Sequence, residues 1–166
     1  MRPLRRDRPP FEVAPGERVL AWAPLVGGEA VGGTRDALYL PARRLAWERV
    51  EAADWDADLG RLRVSEVGVW GELRREHALI LEESGPGADR LLQLVRERIT
   101  ASVVLVRHVP INGRRGVRVV ARRAPSGRSP VEWVYEYDAG VDPADPFVEA
   151  AASTALAAAR DDLGPG

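Results

Sequence analysis

The chain of 166 residues contains no cysteine and no lysine, so all 24 of its basic residues are arginine. Without cysteine, the protein has no thiol nucleophile and no cysteine-ligated zinc site. Without lysine, it cannot form a Schiff base or a Walker A phosphate loop, which requires that residue. Only two histidines are present, His77 and His108. These absences exclude several large classes of enzyme.

Long apolar runs are missing as well. No segment approaches the ~20 consecutive apolar residues that a membrane-spanning helix requires. The first ten residues are basic and rich in proline, but the apolar segment of a secretion signal does not follow them. We therefore interpret residues 1–17 as a flexible tail rich in proline and arginine, and we expect a cytoplasmic protein. The net charge of −1 gives no overall attraction to nucleic acid or to an anionic membrane.

The hydrophobic pattern predicts a β-rich first half followed by one helix. Alternating residues indicate short strands at 18–23, 30–33, 37–40, 45–55, 62–64, 67–73 and 77–81. After Gly85–Pro86–Gly87 the apolar spacing changes to i, i+3, i+4, i+7, which predicts an amphipathic helix over residues 88–102. Several strands followed by one covering helix is the element order of a PH-like barrel.

One segment also resembles a known family. Val31 and the stretch Thr34–Leu40, followed by Leu45–Val50, resemble bacterial PH-like and GRAM-like domains, in which a polar turn precedes an aliphatic strand. The resemblance covers about residues 17–103 and implies a PH-like β-barrel with a capping helix over 18–103. Lipid-binding PH domains carry basic residues in the loop after the first strand. The corresponding loop 24–29 has none, so we do not expect phosphoinositide binding.

The remaining residues, 104–166, predict a three-stranded antiparallel meander and a C-terminal helix. Asn112–Gly113 predicts a type I′ hairpin turn between strands at 103–111 and 116–123. A third strand follows at 131–137, and cap-then-proline signals precede a helix that ends near Leu163. We expect a mostly β, α+β protein whose two parts pack as one unit, because the first helix leads into Val103 without a linker.

Charge is strongly segregated in this second part. Residues 107–128 hold seven arginines and no acid, whereas residues 129–166 hold eight acids and one arginine. If Arg118 lies opposite Glu136 in an antiparallel ladder, Arg122 falls opposite Glu132, and the apolar residues of both strands share the other face. The arginines that such pairs leave free form a candidate anion-binding or nucleic-acid-binding patch. Its members are Arg107, Arg114, Arg115, Arg123 and Arg128.

The sequence indicates a binding protein more than an enzyme. We expect a non-enzymatic scaffold that recognises a protein or peptide, because no catalytic motif, cofactor motif or metal-ligand spacing is present. Three tryptophans are candidate partner-binding residues if they are exposed, and core residues otherwise: Trp47, Trp55 and Trp70. Two alternatives stay open, namely nucleic-acid binding through the basic hairpin 107–128 and a small hydrolase that uses His77 or His108, with or without a metal.

Overall fold

Two antiparallel sheets form the first half of the chain. The computed structural model describes residues 8–68, 74–82 and 85–164. The first sheet has the order β1 (Ala21–Pro24), β2 (Ala30–Gly33), β3 (Ala37–Leu40) and β4 (Arg43–Ala46), and the second has the order β5 (Val50–Asp56), β6 (Arg61–Glu66) and β7 (Glu76–Ile80). Among the described residues they form no closed barrel, since β1 and β7 meet only through an isolated bridge between Leu25 and Leu81.

The predicted continuous strand over 45–55 is broken in the middle. Strand β4 ends at Ala46, a single 3₁₀ turn covers Trp47–Arg49, and β5 begins at Val50. The indole of Trp47 is fully buried, and its Nε1 donates a hydrogen bond to the Thr34 carbonyl oxygen at 2.9 Å. Burial of so large a side chain turns the backbone inward at this point, which alternation alone does not reveal.

Helix α1 (Pro86–Ser102) covers the apolar core of this first half. The helix confirms the segment predicted over 88–102 and begins two residues earlier. It contacts β1 and β2 of the first sheet and β5 of the second. The core that it covers consists of aliphatic residues of both sheets and the buried face of the helix, among them Val31, Leu38, Leu62, Val64, Leu91 and Val95.

The second half is a separate three-stranded antiparallel sheet with one helix. Its strands are β8 (Val103–Asn112), β9 (Arg115–Arg122) and β10 (Glu132–Tyr137), with β9 in the centre. The predicted register is confirmed, because Arg118 lies opposite Glu136 and Arg122 lies opposite Glu132. The predicted type I′ turn is wrong. The two loop residues are Gly113 and Arg114, and a type I′ turn needs a positive φ at both, which only Gly113 has.

Helix α2 (Pro146–Leu163) covers one face of this sheet. The Asp145 carboxylate caps the helix by accepting a hydrogen bond from the Phe147 amide at 2.8 Å. Small side chains allow close packing, with Ala155 and Ala159 buried against the apolar face of the sheet. Leu163, at the end of the helix, is 36% exposed. Within the described residues, neither helix is long and apolar enough to cross a bilayer.

A buried arginine joins the second half to the first. Only 4% of Arg122 is exposed, although it carries a charge. Its guanidinium donates to the carbonyl oxygens of Val50 and Glu51, both at 3.2 Å, and to the Ser102 hydroxyl at 3.4 Å. It also forms an ion pair with Glu136 at 3.1 Å. The one side chain therefore connects β9 to β5, to the end of α1 and to β10.

We expect Arg122→Ala to lower the free energy of unfolding by about 3–5 kcal/mol, because it leaves the Glu136 carboxylate and two carbonyl oxygens without their donor. Urea unfolding followed by circular dichroism measures the change. Arg118→Ala is the matched control on the same strand. Its guanidinium is about half exposed and lies 3.8 Å from Asp138, so its loss should stay below about 1 kcal/mol. If Arg122→Ala and Arg118→Ala lowered the free energy of unfolding equally, Arg122 would not be the residue that joins the two halves.

Candidate functional site

The five candidate arginines do not form one surface. Arg114 and Arg115 lie at the β8–β9 turn, whereas Arg123 and Arg128 follow the other end of β9. Arg123 follows Arg115 by eight positions, which span roughly 26 Å at ~3.3 Å per residue. Arg107 lies in the middle of β8 and forms an ion pair with Asp162 of α2. The structure therefore places four of these charges at two separate ends of the sheet, and Arg107 lies between them.

The acids of the second half neutralise the arginines in a different way from the one expected. Although Arg122 lies opposite Glu132, its ion pair is formed with Glu136, further along β10. Glu132 pairs instead with Arg49 of the first half at 3.1 Å. The predicted ion pair between Glu132 and Arg122 is therefore wrong, although the predicted register is confirmed. Long arginine side chains reach diagonally along a sheet face, which register alone does not specify.

The candidate tryptophans are not a common surface either. Trp47 is a core residue, since it has no exposed area and its indole N–H is bonded inside the protein. Trp55 is half-buried and packs against the core of the first half. Trp70 lies outside the described residues. Neither Trp47 nor Trp55 therefore provides an open aromatic face.

The two histidines lie on different sheets, and each faces a carboxylate. The His77 Nε2 atom is 2.6 Å from Glu66 Oε2, and the His108 Nε2 atom is 2.9 Å from Asp138 Oδ2. Burial by itself raises the pKa of Glu66, but its hydrogen bonds to His77 and Arg43 outweigh that effect and hold the pKa below its usual value. The described part of the chain contains no cluster of three or more residues suited to a metal ion.

A cleft of about 360 Å³ lies where the second half meets the first. Three arginines from distant parts of the sequence line it, namely Arg18, Arg35 and Arg128. All three side chains are exposed, and within the described ranges none forms an ion pair or a side-chain hydrogen bond. We call this feature the arginine cleft. Its other lining residues are Gly16, Glu17, Leu20, Asp36 and Ser126.

The wall that carries Arg35 is a rigid turn between β2 and β3. The Thr34 hydroxyl is fully buried and accepts hydrogen bonds from the backbone N–H groups of Asp36 and Ala37, both at 3.1 Å. The Trp47 indole bonds the Thr34 carbonyl from behind. Turns closed by a threonine hydroxyl in this way hold their backbone in one conformation. Arg35 therefore projects from a fixed position.

The wall that carries Arg18 is fixed by the neighbouring carboxylate. Only 6% of the Glu17 side chain is exposed. Glu17 accepts hydrogen bonds from the hydroxyls of Thr34 at 2.6 Å and Tyr39 at 2.8 Å, and from Arg44 Nε at 3.0 Å. Burial alone raises the pKa of Glu17, but these three donors together hold it below its ordinary value of 4.5. Glu17 is thus ionised and fully engaged within the protein.

The charges that line the arginine cleft are positive overall. Because Arg44 neutralises Glu17, the remaining charges are those of three arginines and Asp36, so the cleft has a net positive charge. Guanidinium groups are planar donors that bind carboxylate or phosphate oxygens in pairs. The arrangement can therefore hold an anion.

Sequence reasoning found only one of the three cleft arginines. Arg128 was a candidate because it lies in the basic stretch, whereas Arg18 and Arg35 were not. Residues 18, 35 and 128 have no periodic relation, and they converge only because the β9–β10 loop lies against two loops of the first half. The polar turn at Thr34 was visible in the sequence, but nothing there indicated what it faces.

We expect Glu17→Gln to destabilise the protein by about 1–3 kcal/mol at pH 7, because it weakens three hydrogen bonds to a buried carboxylate. Since the pKa of Glu17 is lowered by folding, this stabilisation is complete above pH 4.5 and is lost as the pH falls through the folded value. Urea unfolding measures the free energy of unfolding of the unsubstituted protein and of Glu17→Gln. The difference between these two free energies should therefore be smaller at pH 3 than at pH 7.

Glu12→Gln is the control for this experiment, because Glu12 is exposed and has no side-chain partner in the described structure. It should leave stability unchanged at both pH values. If the difference in free energy of unfolding between the unsubstituted protein and Glu17→Gln stayed constant down to pH 3, the stabilisation would not come from an ionised Glu17.

The site is thus defined by its own geometry, namely three guanidiniums without a partner among the described residues, on two loops of the first half and one loop of the second. It shares no side chain with the buried ion pair of Arg122, although both lie where the two halves meet. No family model, no curated protein and no solved structure matches this chain.

Proposed function

We propose that the protein is a non-enzymatic binding protein that recognises an acidic, extended segment of a protein partner in the arginine cleft. The observation that carries this proposal is the convergence of Arg18, Arg35 and Arg128, none of which has an acidic partner among the residues that the structure describes. Guanidinium groups left free on the walls of a cleft attract carboxylates and add hydrogen bonds of fixed direction.

The size of the cleft favours a peptide over nucleic acid. A volume of about 360 Å³ accommodates a few side chains. A duplex would require basic residues along an extended surface, since one phosphate occurs per ~1.7 Å of helix axis. Arg114 and Arg115 of the β8–β9 turn lie at the far end of the sheet and cannot continue the cleft. Aspartate-rich or glutamate-rich segments fit this charge distribution better.

We also propose a PH-like arrangement of the two sheets and helix α1 for residues 18–103. The order of the elements supports this proposal. A four-stranded sheet is followed by a three-stranded sheet and then by one helix, which packs on both sheets. A scaffold of this kind presents loops from a rigid core, which suits recognition rather than catalysis. The acidic partner would then contact the β2–β3 turn and the β9–β10 loop together.

The proposal is tested with a fluorescent hexaglutamate peptide, whose binding to the full chain is followed by anisotropy. We expect Arg18→Ala with Arg128→Ala to weaken binding at least tenfold, or about 1.4 kcal/mol. Arg114→Ala with Arg115→Ala is the matched control, because it removes the same two charges at the far end of the sheet. It should weaken binding less than twofold in 0.15 M salt, where charges far apart are screened.

Equal weakening by the two double variants would overturn the proposal, because it would show an attraction to net charge alone. An absence of hexaglutamate binding by the unsubstituted protein would overturn it as well. A single-stranded oligonucleotide serves as the competing ligand. If it binds more tightly than the peptide and depends on Arg114 and Arg115, nucleic-acid recognition by the basic hairpin replaces the proposed function.

A further inference from the structure

Strand β8 forms an open edge of the second sheet. It pairs with β9 on one side only, because the sheet has the order β10–β9–β8. The ladder is interrupted by bulges at both ends, between Val103 and Leu105 and between Pro110 and Asn112. Between these bulges, residues 105–109 pair regularly. Bulges and proline protect an edge from further pairing, and here they protect only its ends.

The hydrogen bonds of Gly116 identify which backbone groups of β8 point away from the sheet. The Gly116 carbonyl accepts from the Asp138 amide at 2.9 Å, and the Gly116 amide donates to the Asp138 carboxylate at 2.8 Å. Both groups of Gly116 therefore face β10, so its pair with Pro110 is one without hydrogen bonds to β8. By alternation, the N–H and C=O groups of Val106 and His108 point outward.

These outward groups have no partner among the residues that the structure describes. In the part of the chain that the structure describes, no backbone hydrogen bond joins Val106 or His108 to another element. Val106 is also 50% exposed, which is unusual for a valine in the middle of a ten-residue strand. A regular, unpaired and partly apolar edge of this kind is a template for another strand.

We propose that two copies of the chain pair antiparallel through β8, with the two-fold axis at Val106. In this register Val106 contacts Val106 of the second copy, and each exchanges its outward N–H and C=O groups with the other. His108 then lies beside Val104 of the second copy. The exposed valine becomes covered, and the open ladder is continued from three strands to six.

The charges of β8 favour this register over the neighbouring ones. Arg107 lies opposite Leu105 of the second copy, so the two arginines are not opposed, as they would be with the axis at residue 107. Arg107 is further neutralised by Asp162 of its own chain. With the axis at 108, Val106 would face Pro110, which has no N–H group to donate. The axis at Val106 avoids both conflicts.

The absence of cysteine makes the register directly testable. Val106→Cys places two thiols opposite each other, at a Cα separation of about 5.5 Å that a disulfide spans without strain. Mild oxidation of the full chain at 50 µM should therefore give a covalent dimer within minutes. Arg107→Cys shifts the thiols out of register, and Val26→Cys, on a side chain that is 64% exposed, reports random collisions. Both should form dimers at least tenfold more slowly.

Sedimentation velocity of the unsubstituted chain gives an independent measurement. The apparent mass should rise with concentration, because a short ladder buries less area than the ~1,200 Å² of stable complexes. Val106→Pro removes only an outward N–H, leaves the β9 ladder intact and should abolish this rise. A chain that stays monomeric up to 1 mM, or disulfide formation by Val106→Cys no faster than by Val26→Cys, would overturn the proposal.

Discussion

The buried guanidinium of Arg122 is the interaction on which the arrangement of the two halves depends. A charge with 4% exposure is stable only when hydrogen bonds and an opposite charge replace water around it. Its partners lie on β5, at the end of α1 and on β10, so they come together only in one docked position. Lysine could not replace it, because a single ammonium lacks the planar fork that reaches several acceptors at once.

The surroundings of Arg122 extend the same constraint. Glu51, whose carbonyl accepts from Arg122, has a side chain with 9% exposure that pairs with Arg74 at 2.6 Å. Burial raises the pKa of that carboxyl, although Arg74 lowers it in part. At the same boundary Arg49 pairs with Glu132. A chain whose basic residues are all arginine thus uses two of them, Arg49 and Arg122, to join its two halves, and the arginine cleft lies beside this boundary.

Sequence reasoning succeeded where a short period or a local rule controls the structure. The β9–β10 register followed from alternation, because charge and apolarity agreed on one alignment. Helix α1 followed from its apolar spacing, and the start of α2 from the Asp145–Pro146 cap. The break at Trp47 and the convergence of Arg18, Arg35 and Arg128 did not follow. Both depend on what a side chain meets across the core or across the boundary between the halves, which a single sequence does not specify.

The walls of the arginine cleft belong to both halves of the chain, and this has a thermodynamic consequence. A ligand that touches Arg18 and Arg128 together binds only when the second half is docked on the first. By linkage, docking raises the affinity for such a ligand by the same factor by which the ligand favours docking. Occupancy of the cleft and the integrity of the boundary around Arg122 are therefore one coupled equilibrium, although no side chain belongs to both.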